Sequence, residues 1–210
     1  MRIAVFGANG GIGQQFIRLA LNSGHELHLY SRKSIDISDQ SSVKLFNGEL
    51  SDIDSIKRTI KGCDAVVSLL GPKLKFTYPG TPIINGHINI IQAMNDCGVS
   101  RFITIATPAI RFEHDKTSFV TVVPKLLARL FMPKPYKEII GLGEVTRTSG
   151  LDWTIVRFLA PVDGDLKGNV RVTMGDKKIK FKISRADIAS FILDEISERK
   201  HVQSMPIIGG

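Results

Sequence analysis

The sequence predicts an α/β fold: a doubly wound, mostly parallel sheet in a single domain. Three observations predict it. Short apolar runs end at glycine or polar turns, amphipathic helical stretches alternate with those runs, and 210 residues suit one domain with a full core. Regular strand–helix–strand succession implies right-handed crossovers and a sheet covered by helices on both faces.

Ile3 to Phe6 is an apolar run that stops at Gly7 and reads as a buried strand of the parallel type. In "GIGQQFIRLALNSGH" the positions Ile12, Phe16, Leu19 and Ala20 recur at helical spacing, and Ser23-Gly24 supplies the stop. "HELHLYSR" alternates Leu27 and Leu29 with polar neighbours as a second strand ending near Ser31. Val43 to Phe46 make a third, and Asp52 to Ile60 a helix opened by Ser51 or Asp52. "DAVVSLLG" is a fourth strand ending at Gly71. "TPIINGHINIIQAMNDCGV" is a helix with Ile84, Ile88, Ile91 and Met94 on its apolar face, and "RFITIA" is the fifth strand.

Residues 117–149 are helical but interrupted by Pro124, Pro133 and Pro135, which predicts two helices joined by a proline-marked turn. "DWTIVRF" is the sixth strand. "NVRVTM" and "KIKFKI" flank "GDK" with period-two alternation, predicting a C-terminal hairpin. In its second arm Lys178, Lys180 and Lys182 share a solvated face opposite Ile179, Phe181 and Ile183. "SRADIASFILDEIS" starts a helix with Ser184 and Asp187 in capping-box spacing.

The 43% hydrophobic and 23% charged residues are ordinary for a globular protein, and no apolar run reaches the roughly 18 residues of a membrane span. No membrane partner is expected. The N-terminal apolar run gives way to glycines instead of a cleavage site, so a cytoplasmic location is the expectation. Cys63 and Cys97 form no paired motif and read as buried thiols. His25, His28, His87 and His201 show no ligand spacing, so no metal is expected. The net charge of +8 is scattered and no reading motif accompanies it, so a nucleic-acid partner is not expected.

The chemistry concentrates in "VFGANGGIGQQ". A strand that ends in glycines and feeds a helix places free backbone N–H groups and the positive end of the helix dipole together, which attracts phosphate. Gly7 permits the tight exit, and Gly10 and Gly11 admit a pyrophosphate beside the backbone with Ile12. Gly13 lets the helix pack close to the sheet. Asn9 replaces the second glycine of the usual fingerprint; it can hydrogen-bond and tolerates left-handed backbone angles. At the end of the second strand an acidic residue would take the ribose of NAD, whereas this chain has Ser31, Arg32 and Lys33. Arg32 suits the 2′-phosphate, so NADP is the expected cofactor.

With the glycine turn, Arg32, "LLG" after the fourth strand, "SGLDWTIVRF" and "ISRADIASFIL", the sequence resembles the atypical short-chain dehydrogenase/reductase group with NAD(P)H-binding, NmrA-like members. It is most similar to the biliverdin reductase B/flavin reductase type. The resemblance covers essentially the whole chain and implies one NAD(P)-binding Rossmann domain over residues 1–210. It further implies that Glu49 and Leu50 border the adenine and that Leu70 and Gly71 pass the cofactor. Thr107, Phe158, Leu159 and Ala160 lie by the nicotinamide in such a protein. Two departures stand out: the family often has proline where Phe158 stands, and the biliverdin reductase type has a histidine near Ala160.

The Tyr-x-x-x-Lys pair of ordinary short-chain dehydrogenases is missing, because Tyr30, Tyr78 and Tyr136 are followed four residues later by Ser34, Pro82 and Ile140. The expected chemistry is therefore hydride transfer from NADPH to a small-molecule acceptor needing little protein acid, such as a flavin, quinone or tetrapyrrole. The alternative is an NADP-binding sensor without turnover. Thr107 and His114 are the candidate catalytic residues, Thr107 to orient the partners, with the proton coming from solvent or His114. Tyr136, Lys73 and Lys75 are possible pocket residues, and the chain is expected to be a monomer or homodimer.

Overall fold

The computed structural model describes residues 1–33, 35, 41–71 and 82–210. The chain runs β1 (Arg2–Phe6), α1 (Gly11–Asn22), β2 (Glu26–Ser31), β3 (Val43–Asn47), α2 (Ile53–Ile60) and β4 (Ala65–Ser68). It continues through α3 (Pro82–Cys97), β5 (Arg101–Ala106), α4 (Phe119–Phe131), α5 (Pro133–Arg147) and β6 (Asp152–Arg157). The remainder is β7 (Ala160–Val162), β8 (Arg171–Thr173), β9 (Lys182–Ser184), α6 (Arg185–Glu198) and β10 (Ile207–Gly209). The main sheet has the order β3-β2-β1-β4-β5-β6-β10-β8, and every pairing in it is parallel except β10 with β8. Strand order reverses between β1 and β4, the place where open α/β sheets carry their ligand crevice.

The uninterrupted apolar runs of the central strands follow from burial on both faces. Ile3 and Val5 join α1 and α6 residues such as Phe16 and Ile192 in one core. Ala4 and Phe6 join Ile56, Ile90 and Ile139 of α2, α3 and α5 in the other. The helix signals act as expected. Ser23 and Gly24 end α1, with Gly24 at φ 74°. The Asp52 side chain accepts from the Ser55 N–H to cap α2, and α4 and α5 meet at Met132-Pro133. Ser184 accepts from the Asp187 N–H at the start of α6 and donates its hydroxyl to one Asp187 oxygen, while the other oxygen accepts from Lys167 N and Gly168 N, at 2.8 and 2.9 Å.

Three expectations need correction. The hairpin does not form: β8 pairs antiparallel with β10, and β9 pairs parallel with β7 in a separate two-stranded sheet. Its two arms alternate as expected, but the last strand of the chain lies beside β6 and takes the position the second arm would need. On α3 Ile91 and Met94 are buried as expected, but Ile88 is 45% exposed and Ile84 half-buried, and the buried stripe takes in Ile83, His87 and Ile90 instead. The stripe runs through a histidine that counting apolar residues passes over. Finally, Cys63 is buried, with its thiol pushed up to about 12 by burial, but Cys97 is only half-buried.

Two buried arginines brace opposite ends of the sheet. At the start of β5, Arg101 donates to the Glu195 carboxylate and carbonyl and to Thr154, and Glu195 also holds His201. At the end of β6, Arg157 makes a two-pronged bond to Asp115, both contacts 2.6 Å, and donates to the carbonyls of Ile110 and Met205. Its charge is completely buried and completely paired, the condition under which a buried arginine is tolerated.

Candidate dinucleotide site

Because β1, β2, β4, β5 and β6 are parallel, the turns singled out in the sequence all emerge at one end of the sheet. At the centre is the turn from β1 to α1. Gly7 has φ 88°, and a Cβ there would sit 2.8 Å from the Leu69 carbonyl carbon, so both conformation and space require glycine. A Cβ on Gly13 would come within 2.5 Å of Gly7 O and 2.6 Å of Ala8 O. Gly13 therefore closes the first helical turn onto the glycine loop itself, a tighter contact than the helix-to-sheet packing expected of it.

Gly10 is the N-cap of α1 and offers no side chain, and the first turn holds no acidic residue. The first intrahelical bond runs from Gln14 N to Gly10 O, 2.9 Å, which leaves the N–H groups of Gly11, Ile12 and Gly13 ahead of the helical ladder. A Cβ on Gly10 would meet only Gly7 O, at 3.4 Å, so the protein leaves space above it. Free donors, a favourable dipole and an open backbone fit a pyrophosphate.

The space above Gly11 is bounded by Arg185, whose Cδ and Nε would lie 2.7 and 2.8 Å from a Cβ there. Arg185 is the first residue of α6, and its guanidinium pairs with Asp163, a carboxylate 96% exposed. Sequence reading placed Arg185 at a helix start but assigned it no part in the site. Its position depends on α6 packing beside α1 in the same core.

Asn9 has no left-handed backbone; its side chain is what matters. Its Nδ2 donates to Ser31 Oγ at 2.6 Å, tying the glycine turn to the end of β2. Ser31 Oγ also accepts from Lys33 N. Arg32 and Lys33 are exposed, and neither has a carboxylate partner among the described residues. After β3, Glu49 projects to solvent while its carbonyl accepts from Tyr30 Oη, 2.7 Å; burial first, then the charges of Asp52 and Glu49, push that phenol up to about 12. The Leu50 carbonyl accepts from Asn89, and its side chain fills the space above Gly86.

Leu70 packs on Ile83 and Leu142, and Gly71 is exposed; Lys73, Lys75 and Tyr78 lie outside the described residues. Under this turn His87 joins three elements. Its Nδ1–H donates to Ile83 O, and its Nε2 accepts from Ser68 and Thr104 hydroxyls, both 3.1 Å; burial lowers its pKa to about 4 and keeps it neutral. Glu138 is buried beside the start of α3, where one oxygen accepts from Ile84 N at 2.9 Å and the other has no partner among the described residues; burial raises its pKa.

Thr107 is half-buried at the end of β5. Its Oγ1 accepts from Ala109 N and its carbonyl from Ile110 N, a turn over Pro108 that leaves the hydroxyl hydrogen available to donate. Phe158 is in the core, and Leu159 and Ala160 are half-buried where the chain enters β7. The structure brings these residues to the same end of the sheet as the glycine turn. It places His114 differently: the exposed ring sits edge-on to Phe112, 4.8 Å between centroids, and Phe112 leans on Trp153 in the first half of β6. Tyr136 is half-buried in the first turn of α5. Among the described residues no cluster of three His, Cys, Asp or Glu is arranged to hold a metal.

Comparison with known proteins agrees with this geometry. The chain is 26% identical to YhfK, an uncharacterised sugar epimerase of Bacillus subtilis, over 95% of this chain and 89% of that protein. It superimposes on a short-chain dehydrogenase/reductase from Veillonella parvula in complex with NADP with a TM-score of 0.81 at 17% identity, covering 100% of this chain and 94% of the other. ChuY, an anaerobilin reductase from Escherichia coli O157:H7, gives 0.79 at 20% identity, covering 100% and 97%. These two likenesses establish the Rossmann-type fold. The family model described as NAD(P)H-binding matches residues 7–199, from the first glycine of the turn to the end of α6, and the chain belongs to that family.

Proposed function

We propose that the protein is an NADPH-dependent reductase that transfers hydride to a small planar acceptor of the flavin, quinone or tetrapyrrole kind, within the NmrA-like, biliverdin reductase B/flavin reductase part of the family. The observation that carries the reading is the pairing of an open glycine cradle with an exposed Arg32 at the end of β2 that has no carboxylate partner among the described residues. The reductase activity stated for ChuY and the NADP held by the Veillonella protein support it.

The N–H groups of Gly11, Ile12 and Gly13 hold the pyrophosphate, with Gly7 and Gly10 keeping the loop close and Arg185 adding positive charge. Arg32 and Lys33 take the 2′-phosphate, and Asn9 keeps the glycine turn beside them through Ser31. Glu49 and Leu50 border the adenine. Leu70, Gly71, Phe158, Leu159 and Ala160 border the nicotinamide, where the Thr107 hydroxyl donates to orient the reacting pair. Bound there, the cofactor supplies hydride. The acceptor's proton comes from solvent or from the exposed His114.

One observation favours a second reading, an NADP-binding sensor without turnover: Tyr136 is followed one turn later on α5 by Ile140, so the Tyr-x-x-x-Lys pair is absent there. The two readings separate when the protein is mixed with NADPH and a panel of flavins, quinones and tetrapyrroles while nicotinamide absorbance is followed. Acceptor-dependent loss of absorbance is expected. Tight NADPH binding with no oxidation by any acceptor would replace the reductase with the sensor.

A further inference from the structure

Helix α4 leaves an apolar face uncovered. Phe119, Val122, Leu126 and Leu130, at three- and four-residue spacing, are 66%, 47%, 62% and 68% exposed, and Phe131 beside them is 60% exposed. Only Val120 and Thr121 of this helix are buried. Exposed apolar surface of this size on one element marks an interaction site.

Its charges identify the occupant. From Lys116 to Lys137 the charged residues are Lys116, Lys125, Arg129, Lys134 and Lys137, without a single carboxylate. The Phe119 ring stacks on Phe181 at 6.4 Å, so the apolar face continues from α4 onto the approach to β9. We propose that α4 docks on an anionic lipid surface, its leucines and phenylalanines entering the headgroup boundary while the cations meet the lipid phosphates and carboxylates. At 13 residues it is too short to span a bilayer, and no described helix is long and apolar enough to do so; lying in the interface requires neither. A second copy fits this face poorly. A two-fold contact sets a patch against itself, and here cations would meet cations with no acid to separate them.

The test uses the full chain in sedimentation with vesicles of phosphatidylcholine, alone or mixed with phosphatidylserine, at low and high salt. Binding to the mixed vesicles that salt weakens is expected. The double variant Leu126→Ser, Leu130→Ser, whose sites are exposed and whose folding circular dichroism verifies, should bind roughly tenfold or more weakly. Lys125→Gln with Arg129→Gln should remove the preference for phosphatidylserine. Unchanged binding by the leucine variant, or equal binding to both vesicle types, overturns the proposal. So does a wild-type dimer that ignores vesicles and becomes monomeric in the leucine variant, which would assign the face to a second copy.

Discussion

Two arginine–aspartate pairs stand in different surroundings, and the contrast separates architecture from recognition. Arg157 and Asp115 are 0% and 1% exposed, bonded at two points, with carbonyls from two further segments completing the guanidinium's partners. Arg185 and Asp163 are 28% and 96% exposed and share a single contact beside the glycine turn. A buried charge must keep all its partners, because losing one strands the other. A charge intended for a ligand does better with a weak, solvated partner that it can leave at little cost. The first pair ties the 108–116 loop and the approach to β10 onto β6; the second leaves a cation at the edge of the cradle.

The largest effect that sharpens this contrast is on stability. Asp115→Ala leaves Arg157 charged in the core and should cost about 3–5 kcal/mol, seen in thermal unfolding as a fall in Tm on the order of 10 °C. A fall of only a degree or two would show that water reaches this pair. The exposed pair should behave in the opposite way. Arg185→Ala should leave Tm nearly unchanged yet weaken NADPH and NADH alike by roughly tenfold in titration calorimetry, since both carry the pyrophosphate. Asp163→Ala, which frees the same cation, should show no measurable change in Tm and no loss of affinity. Equal Tm losses in the Arg185 and Asp115 variants would dissolve the distinction.

Much of this architecture was legible because local pattern and final structure obey the same rule. β1, β4 and β5 are buried on both faces and so carry mostly apolar residues, and the glycines of the first turn answer steric demands within a few residues. Where partners are distant in sequence, legibility fails. The arms around "GDK" alternate as hairpin arms do, but Ile207–Gly209 pairs with the first, and the second turns to Ala160–Val162. Nothing local to either arm encodes that choice. Arg185 shows the same limit: Ser184 and Asp187 mark its helix start, but its place over Gly11 follows from α6 sharing a core with α1. His87, which shows no ligand spacing in the sequence, is a neutral bracket between α3, β4 and β5, a role that only the hydroxyls of Ser68 and Thr104 reveal.

The central proposal, that the glycine cradle and Arg32 together select NADPH, is tested most directly by titration calorimetry of NADPH and NADH against the wild type and Arg32→Ala. The wild type should prefer NADPH. The variant should lose about 1.5–3 kcal/mol of NADPH affinity, one charge-assisted bond, and keep its NADH affinity. Equal losses for both dinucleotides, or a wild type that binds neither, would contradict the account.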